Sequence, residues 1–415
     1  MTQPTEADQS LTICESQPPA EVRWPKRRLS TLGTFSRGHG IHKVDLIADG
    51  IPAVRYGEIY THHSDVIDRF FSFVSLESAK KSVRLRKGDV LFARPGETAE
   101  EIGKCTAFVS DAEVYAGDDV LIFSPRGVDS RYLSYTMNHH HEVMRERQRL
   151  AQGEMIVHTS PASLGQIEIP LPSVDEQKAI VTPLTDSDAL IAGLDTLIAK
   201  KAAMKQGAVQ QLLTGKIRLA GFNDPWMDST LGSIAKISKG IQRNRETLVE
   251  AGYPVWNGGV TPSGFTDEWN TPENTITISE GGNSCGFVGF ISERFWCGGH
   301  CYALKELSTS FDLRFTYQNL KYHQMELMSL RVGSGLPNVQ KKRLLAYSIK
   351  HPGINEQRAI GTVLSDMDLE LKVLERRRDK IQAIKQGMIQ SLLSGRVRLV
   401  RRGNDVSASV EKVGS

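Results

Sequence analysis

KQGAVQQLLTGKIRL at residues 205–219 returns as KQGMIQSLLSGRVRL at residues 385–399. Shifting the chain so that 205 falls on 385 aligns Ile169–Leu219 with Ile349–Leu399 without a gap. Identical pairs include Pro172/Pro352, Glu176/Glu356, Gln177/Gln357, Asp188/Asp368, Lys205/Lys385, Gly215/Gly395 and Arg218/Arg398. Agreement of that length is a duplication, and it governs how everything else in the chain is read.

Both copies have a helical period. Ile180, Leu184, Ile191, Leu194, Ile198, Ala208 and Leu212 recur at three- and four-residue steps in the first copy. Ile360, Leu364, Met367, Leu371, Leu374, Ile381, Ile384, Met388 and Leu392 do so in the second. This is a narrow apolar stripe of coiled-coil type. Asp175 and Asn355 are the expected N-caps, and Gly215 and Gly395 the expected C-cap glycines. Each helix should run for about 38 residues, about 57 Å at 1.5 Å per residue. Pro183 should kink the first or delay its start. A lone helix with one apolar stripe is unstable in water, so each copy needs a partner, and the other copy is the simplest one.

Upstream the halves correspond more loosely. Leu29-Ser-Thr-Leu-Gly-Thr-Phe-Ser-Arg-Gly38 parallels the stretch from Asp228 to Gly240, and Gly50-Ile-Pro-Ala-Val-Arg55 parallels Gly252-Tyr-Pro-Val-Trp-Asn257. Each unit is therefore a variable domain of about 140 residues followed by a near-constant segment of about 45, too long for a solenoid repeat. Short alternating runs in the variable parts (Val83–Arg86, Val90–Ala93, Val120–Phe123, Thr275–Ile278, Phe287–Ile291), separated by Gly, Pro, Asn and Asp, predict small twisted sheets with many loops. The expected organisation is a disordered tail at 1–20, a domain at 21–172, a helix at 173–219, a second domain at 220–352, a second helix at 353–399 and a disordered tail at 400–415.

The chain has 415 residues, 40% hydrophobic and 24% charged, which suits a soluble globular protein of two or three domains. Residues 1–20 lack the basic start and apolar core of a signal peptide, and no apolar run is long enough for a membrane span. Five scattered cysteines do not make a disulfide framework, so a reducing cytoplasm is expected. The net charge of +3 says little about partners, but the cations are clustered. Arg23, Lys26, Arg27, Arg28, Arg37 and Lys43 stand against Glu21 alone, and Lys236, Lys239, Arg243 and Arg245 have no acid between them. The two clusters occupy equivalent places in the duplication.

Enzyme signatures are lacking. Asn223-Asp-Pro-Trp226 misses the second proline of an amino-methyltransferase loop and reads as a turn into the second domain. Gly215-Lys216 and Gly395-Arg396 lack the spacing of a phosphate loop. Cys297-Gly-Gly-His-Cys301, with Cys285, fits no common zinc spacing, and His139-His-His141 reads as helix surface, so neither a metal nor a catalytic residue is assigned. Gly281-Gly-Asn-Ser284 reads as a turn, or alternatively as a phosphate contact. What remains are loops rich in groups that read DNA. Arg suits guanine, Gln and Asn suit adenine, and Lys and Ser suit phosphate. The candidate DNA contacts are Arg37, His39, His42, Lys43, Arg55, Tyr56 and Arg94 in the first domain. In the second they are Lys239, Gln242, Arg243, Asn244, Arg245, Asn257, Asn283 and Ser284.

This arrangement resembles the specificity subunit, HsdS, of type I restriction–modification systems. The resemblance rests on the paired EQKAI and EQRAI helix starts, the paired KQG…LL.G…RL endings, and IEIPLPS before the first helix. LSTLG, IPAVRYGEI and KGDVLFARPGE in the first domain add to it. It implies an α+β chain with two target-recognition domains separated by two long helices, which pack as an antiparallel coiled coil with pseudo-two-fold symmetry. Each domain would read one half of a bipartite site in double-stranded DNA, and the coiled coil would set the spacer. The subunit would be non-catalytic and without a cofactor. It would recruit two methyltransferase (M) subunits that use S-adenosylmethionine for adenine-N6 methylation, and restriction (R) subunits that use ATP and Mg. The alternative is a recognition subunit of a related type II (IIB- or IIG-like) or methylation-only system.

Overall fold

The computed structural model describes residues 24–402 and 405–409, apart from 97, 99, 100, 150–156, 334 and 336. The expected tail at 1–20 lies outside them. By compactness the chain divides into Met1–Ala192 with Asp379–Ser415, and Gly193–Arg378. That division cuts through the long helices, so each unit holds segments of both.

The first unit is built on a four-stranded antiparallel sheet of β1 (Gly33–Arg37), β2 (Val90–Ala93), β3 (Cys105–Ala107) and β4 (Val120–Pro125), in the order β1-β4-β2-β3. Both faces are covered, which is why β2 and β4 read as continuous apolar runs. Val90, Phe92, Leu121 and Phe123 point to one face, where Tyr132, Leu133 and Tyr135 of helix α1 (Ser130–His139) pack. Leu91, Ala93, Val120 and Ile122 point to the other, against Val54, Ile59 and Ala116. This two-residue alternation is the strand period at work. A smaller mixed sheet lies on that second side, where Tyr115–Ala116 runs parallel to Ile51–Val54.

Helix α2 (Val174–Leu212) begins in this unit. The second unit repeats the plan with β5 (Lys236–Lys239), β6 (Thr275–Ser279), β7 (Val288–Ile291) and β8 (Cys301–Lys305), in the order β5-β8-β6-β7. Helix α3 (Leu313–Tyr322) corresponds to α1, and Trp296–Cys297 runs parallel to Tyr253–Trp256 as Tyr115–Ala116 does to Ile51–Val54. Helix α4 (Ile354–Leu393) then passes from the second unit into the first. The expected strands are present within a residue or two. The STLG match is a correction: Leu29 donates its N–H to Ile167 O and Leu231 donates to Tyr347 O, so Leu29 corresponds to Leu231 and not to Asp228. Buried leucines that seat the short helices Leu29–Leu32 and Leu231–Ile234 set this register, and the shared letters are out of step with it.

The long helices meet in the same way inside each unit. In the first, Ile180, Val181 and Leu184 of α2 share a core with Ile389, Leu392 and Leu393 of α4. In the second, Leu212 and Leu213 share one with Ile360, Leu364 and Phe315. Arg398 makes a two-pronged bond to Glu176 (Nε–Oε1 2.7 Å, Nη2–Oε2 2.9 Å), and Arg218 makes the same pair with Glu356 (Nε–Oε1 2.6 Å). Lys385 bonds Asp188, and Lys205 bonds Asp368. In both units the paired segments run antiparallel. Every partner is the other copy's equivalent, which is why the sequence states these residues twice.

Several helix details differ from expectation. The caps are Ser173, whose Oγ accepts from Glu176 N (3.3 Å), and Gly353; Asp175 and Asn355 lie two residues further on, inside the first turn. Carboxylates in the first turn remain favourable at the positive end of the helix dipole. Gly215 (φ +68°) and Gly395 (φ +73°) follow the helix ends in the left-handed conformation, as their type suggests. Pro183 neither delays nor breaks α2. Of the expected stripe, Ile180, Leu184, Leu194, Leu212, Ile360, Leu364 and Leu392 are buried, whereas Ile191, Ile198, Leu371, Leu374 and Ile381 are half-buried. Ile384 is exposed, and Ile389 takes the buried place instead. Beyond α4, Val400–Arg402 pairs antiparallel with Asp405–Ser409, a correction to the disordered tail expected at 400–415, because backbone bonds between the two segments order them. Among the described residues no helix is long and apolar enough to cross a membrane.

Candidate nucleic-acid interface

Four backbone hydrogen bonds build one corner in each domain. Gly38 N donates to Val120 O (2.9 Å), as Gly240 N does to Cys301 O (2.9 Å). Gly117 N donates to Val54 O, as Gly298 N does to Trp256 O, each at 2.8 Å. Arg94 N donates to Asp119 O (2.9 Å), as Glu280 N does to His300 O (2.8 Å). Thr159 N donates to Arg94 O, as Val339 N does to Glu280 O, each at 2.8 Å. The turn Gly117-Asp118-Asp119 thus corresponds to Gly298-Gly299-His300. Gly38 and Gly240 have to be glycine because a Cβ there would lie 2.3 Å from carbonyl oxygens of the facing turn. That close approach brings the basic loop of each domain onto the turn.

In the first domain the turn gathers most of the candidates. Arg37 Nη2 (2.9 Å) and Arg94 Nη1 (3.2 Å) both donate to Asp119 Oδ1. His42 Nδ1 lies 2.7 Å from Asp118 Oδ2, and the stem of Arg55 passes beside Gly117. Tyr56, His39 and Lys43 are exposed on the flanking segments. Asp119 adopts φ +60°, uncommon for a residue with a side chain, and its carboxylate orients both arginines.

In the second domain Lys239 Nζ donates to Glu280 Oε1 (2.6 Å), which also accepts from Tyr302 OH (3.0 Å). Burial, followed by the neighbouring Glu280, pushes the Tyr302 phenol well above its ordinary pKa, so it remains a donor. Asn257 Oδ1 accepts from His300 N (3.1 Å), Gln242 packs against Gly299, and Ser284 Oγ donates to Gly258 O (2.6 Å). Asn244, Arg245 and Asn283 are exposed. Arg243 is committed elsewhere: it binds Asp267 and Glu268 and lies 4.4 Å over the Trp296 ring. Asp118, Asp119, Glu280 and His300 are the residues the sequence reading missed. Sliding AGDDV (116–120) onto CGGHC (297–301), close to the register of the helices, is the signal that would have found them.

The remaining motifs have structural roles. Cys297 and Cys301 are buried across their turn, and Cys285 is buried too. Trp226 packs on Gly215 and Phe315. His139 Nε2 lies 2.9 Å from Asp65, a buried carboxylate that Asn138 Nδ2 also bonds (2.9 Å) and that Lys385 Nζ approaches to 3.8 Å. Burial pushes the Asp65 pKa upward, but the His139 and Asn138 bonds together with the Lys385 charge carry it below the ordinary carboxylate value.

Comparison with known proteins agrees with this geometry. The profile of the type I restriction modification DNA specificity domain matches residues 22–200 and again 223–383. The chain belongs to this family and carries its domain twice. A putative type I specificity subunit from Mycoplasma pneumoniae is 36% identical over 165 residues, 39% of this chain and 44% of that protein. The matched stretch thus spans under half of that relative. The putative MjaX specificity subunit of Methanocaldococcus jannaschii is 24% identical over 344 residues, 76% of this chain and 80% of its own. The crystal structure of the type I S subunit from M. genitalium has the same fold, with a TM-score of 0.70, 18% identity, and coverage of 91% of this chain and 98% of that one.

Proposed function

We propose that this chain is the DNA-reading subunit of a type I restriction–modification complex and is itself non-catalytic. Each domain contacts one half of a bipartite double-stranded site through its corner, and the helices set the separation. The observation that carries this reading is the doubled corner: one backbone frame holds two different sets of base-competent side chains. Two methyltransferase (M) subunits and the restriction (R) subunits would supply the chemistry, with S-adenosylmethionine in the former and ATP and Mg in the latter, in the cytoplasm. Specificity divided in this way follows from placing loops in the major groove, where each base pair is distinguishable.

The test is to map methylated adenines in DNA from cells expressing the chain with its M subunit. A motif in two parts with an unspecified gap is expected; a continuous motif, or methylation independent of this chain, overturns the reading. A sharper arm inserts seven residues after residue 192 and seven after 378, keeping the stripe period and every contact within each unit. The insert adds about 10 Å of helix, so the gap should lengthen by about three base pairs with both half-motifs unchanged.

A further inference from the structure

The corner has three side-chain positions, and their chemistry differs between the domains. A strand-end cation occupies the first in both, Arg37 and Lys239. The second holds Arg94 in one domain and Glu280 in the other, and the third holds Asp119 and His300. These equivalences come from the shared backbone bonds, Arg94 N to Asp119 O and Glu280 N to His300 O.

In the first domain one oxygen, Asp119 Oδ1, accepts from both guanidiniums. Each arginine is held through a single Nη, and Arg37 is half-exposed, with the Arg94 side chain 32% exposed. Each guanidinium carries five N–H donors in a fixed fork, so each has donors beyond the one bonded to Asp119, and both side chains are partly exposed. A surface dominated by guanidinium donors matches a base edge with two acceptors, the O6 and N7 of guanine.

In the second domain Glu280 Oε1 is occupied by Lys239 and Tyr302, while Oε2 has the exposed His300 Nδ1 at 3.7 Å. This corner offers an acceptor flanked by donors. It suits a base that donates from an exocyclic amine, adenine or cytosine.

We infer that this corner is the specificity-determining contact of each domain. Asp119 fixes a guanine-reading arginine pair in the first, and Glu280 with His300 reads an amine-bearing base in the second. The inference rests on the DNA-reading function proposed above. The acidic members are as much part of the recognition surface as the cations, because they decide which hydrogen-bonding groups remain free.

The test uses the full chain co-purified with its M subunit, and measures methylation rates on a library carrying every single-base change in the wild-type site. Glu280→Gln and His300→Ala should shift preference at one base pair of one half-site by about tenfold and leave the other half-site unchanged. Arg94→Lys and Asp119→Asn should do the same for the other half-site, at a guanine. His300 and Arg37 are exposed enough that His300→Ala and Arg37→Lys provide well-folded variants if a buried substitution lowers the yield of complex. Base preferences that stay within twofold of wild type at every position overturn the inference, as does a weakening spread evenly over both half-sites. A wild-type complex that methylates no divided motif overturns the parent reading instead, before any variant is made.

Discussion

Asp65 shows how a single buried carboxylate couples a recognition domain to the helix that closes it. It is 4% exposed, bonded to His139 and Asn138, and near Lys385 of α4. Its pKa lies below the ordinary value, so the ionised form contributes stability above about pH 4, and that contribution is lost as the pH falls through the depressed value. Asp65→Asn should cost about 3 kcal/mol at pH 7, because an amide replaces the buried carboxylate that His139 and Asn138 bond and Lys385 approaches. The gap in melting temperature between wild type and variant should be constant from pH 7 to about 4.5 and shrink below about pH 4. A gap independent of pH down to 2.5 would place the stabilisation elsewhere. At this scale the sequence was least legible. Asp65, His139 and Lys385 lie far apart in the chain, and Asp119 has no local pattern that links it to Arg37 and Arg94. Side chains that meet only through tertiary folding leave no periodic trace.

The long helices are the most legible elements. Their apolar period, glycine stops and length follow from local geometry that the tertiary structure has no cause to override. The caps were misplaced by two residues because the first-turn acids and amides compete with Ser173 for the same sequence signature. Pro183 is instructive for a different reason. It lies well inside α2, where it cannot donate to the carbonyl four residues earlier, and yet the helix continues. Ile180, Val181 and Leu184 around it are all buried, so packing outweighs the lost bond. Pro183→Ala should therefore raise stability, by up to about 3 kcal/mol if the backbone relaxes fully. Denaturant titration checks this, and a destabilised variant would show that the proline shapes the helix that its neighbours need. The small strands were located within a residue or two because their alternation is strong. Their pairing was not legible, since long-range register depends on which faces are covered.

For the whole molecule, the duplication was readable from the sequence, but its physical meaning was not. Repeats suggest one domain per copy, whereas each compact unit takes helical segments from both. Ile389, Leu392 and Leu393 belong to the core of the first unit although they come last among the core residues of the chain. A chain ending at Arg378 should therefore keep the second unit folded and destabilise the first, the one more distant in sequence from the cut. Hydrogen exchange resolved by peptide would show it, with protection lost across β1–β4 and retained across β5–β8. Equal loss in both, or loss confined to the second, would contradict the partition.

The pairing of Arg398 with Glu176 has a consequence for the order of events at the ribosome. Those residues are 222 positions apart, so the first unit begins to emerge early and closes last. While the whole second unit is being made, Ile180, Val181 and Leu184 have no partner helix and present a sticky apolar face. Closing so distant a contact is slow, because the loop entropy is lost before the contact forms. The nascent chain thus passes through a long interval in which one half is complete and the other waits. In that interval the exposed face is open to chaperones, or to the matching helix of a neighbouring nascent chain.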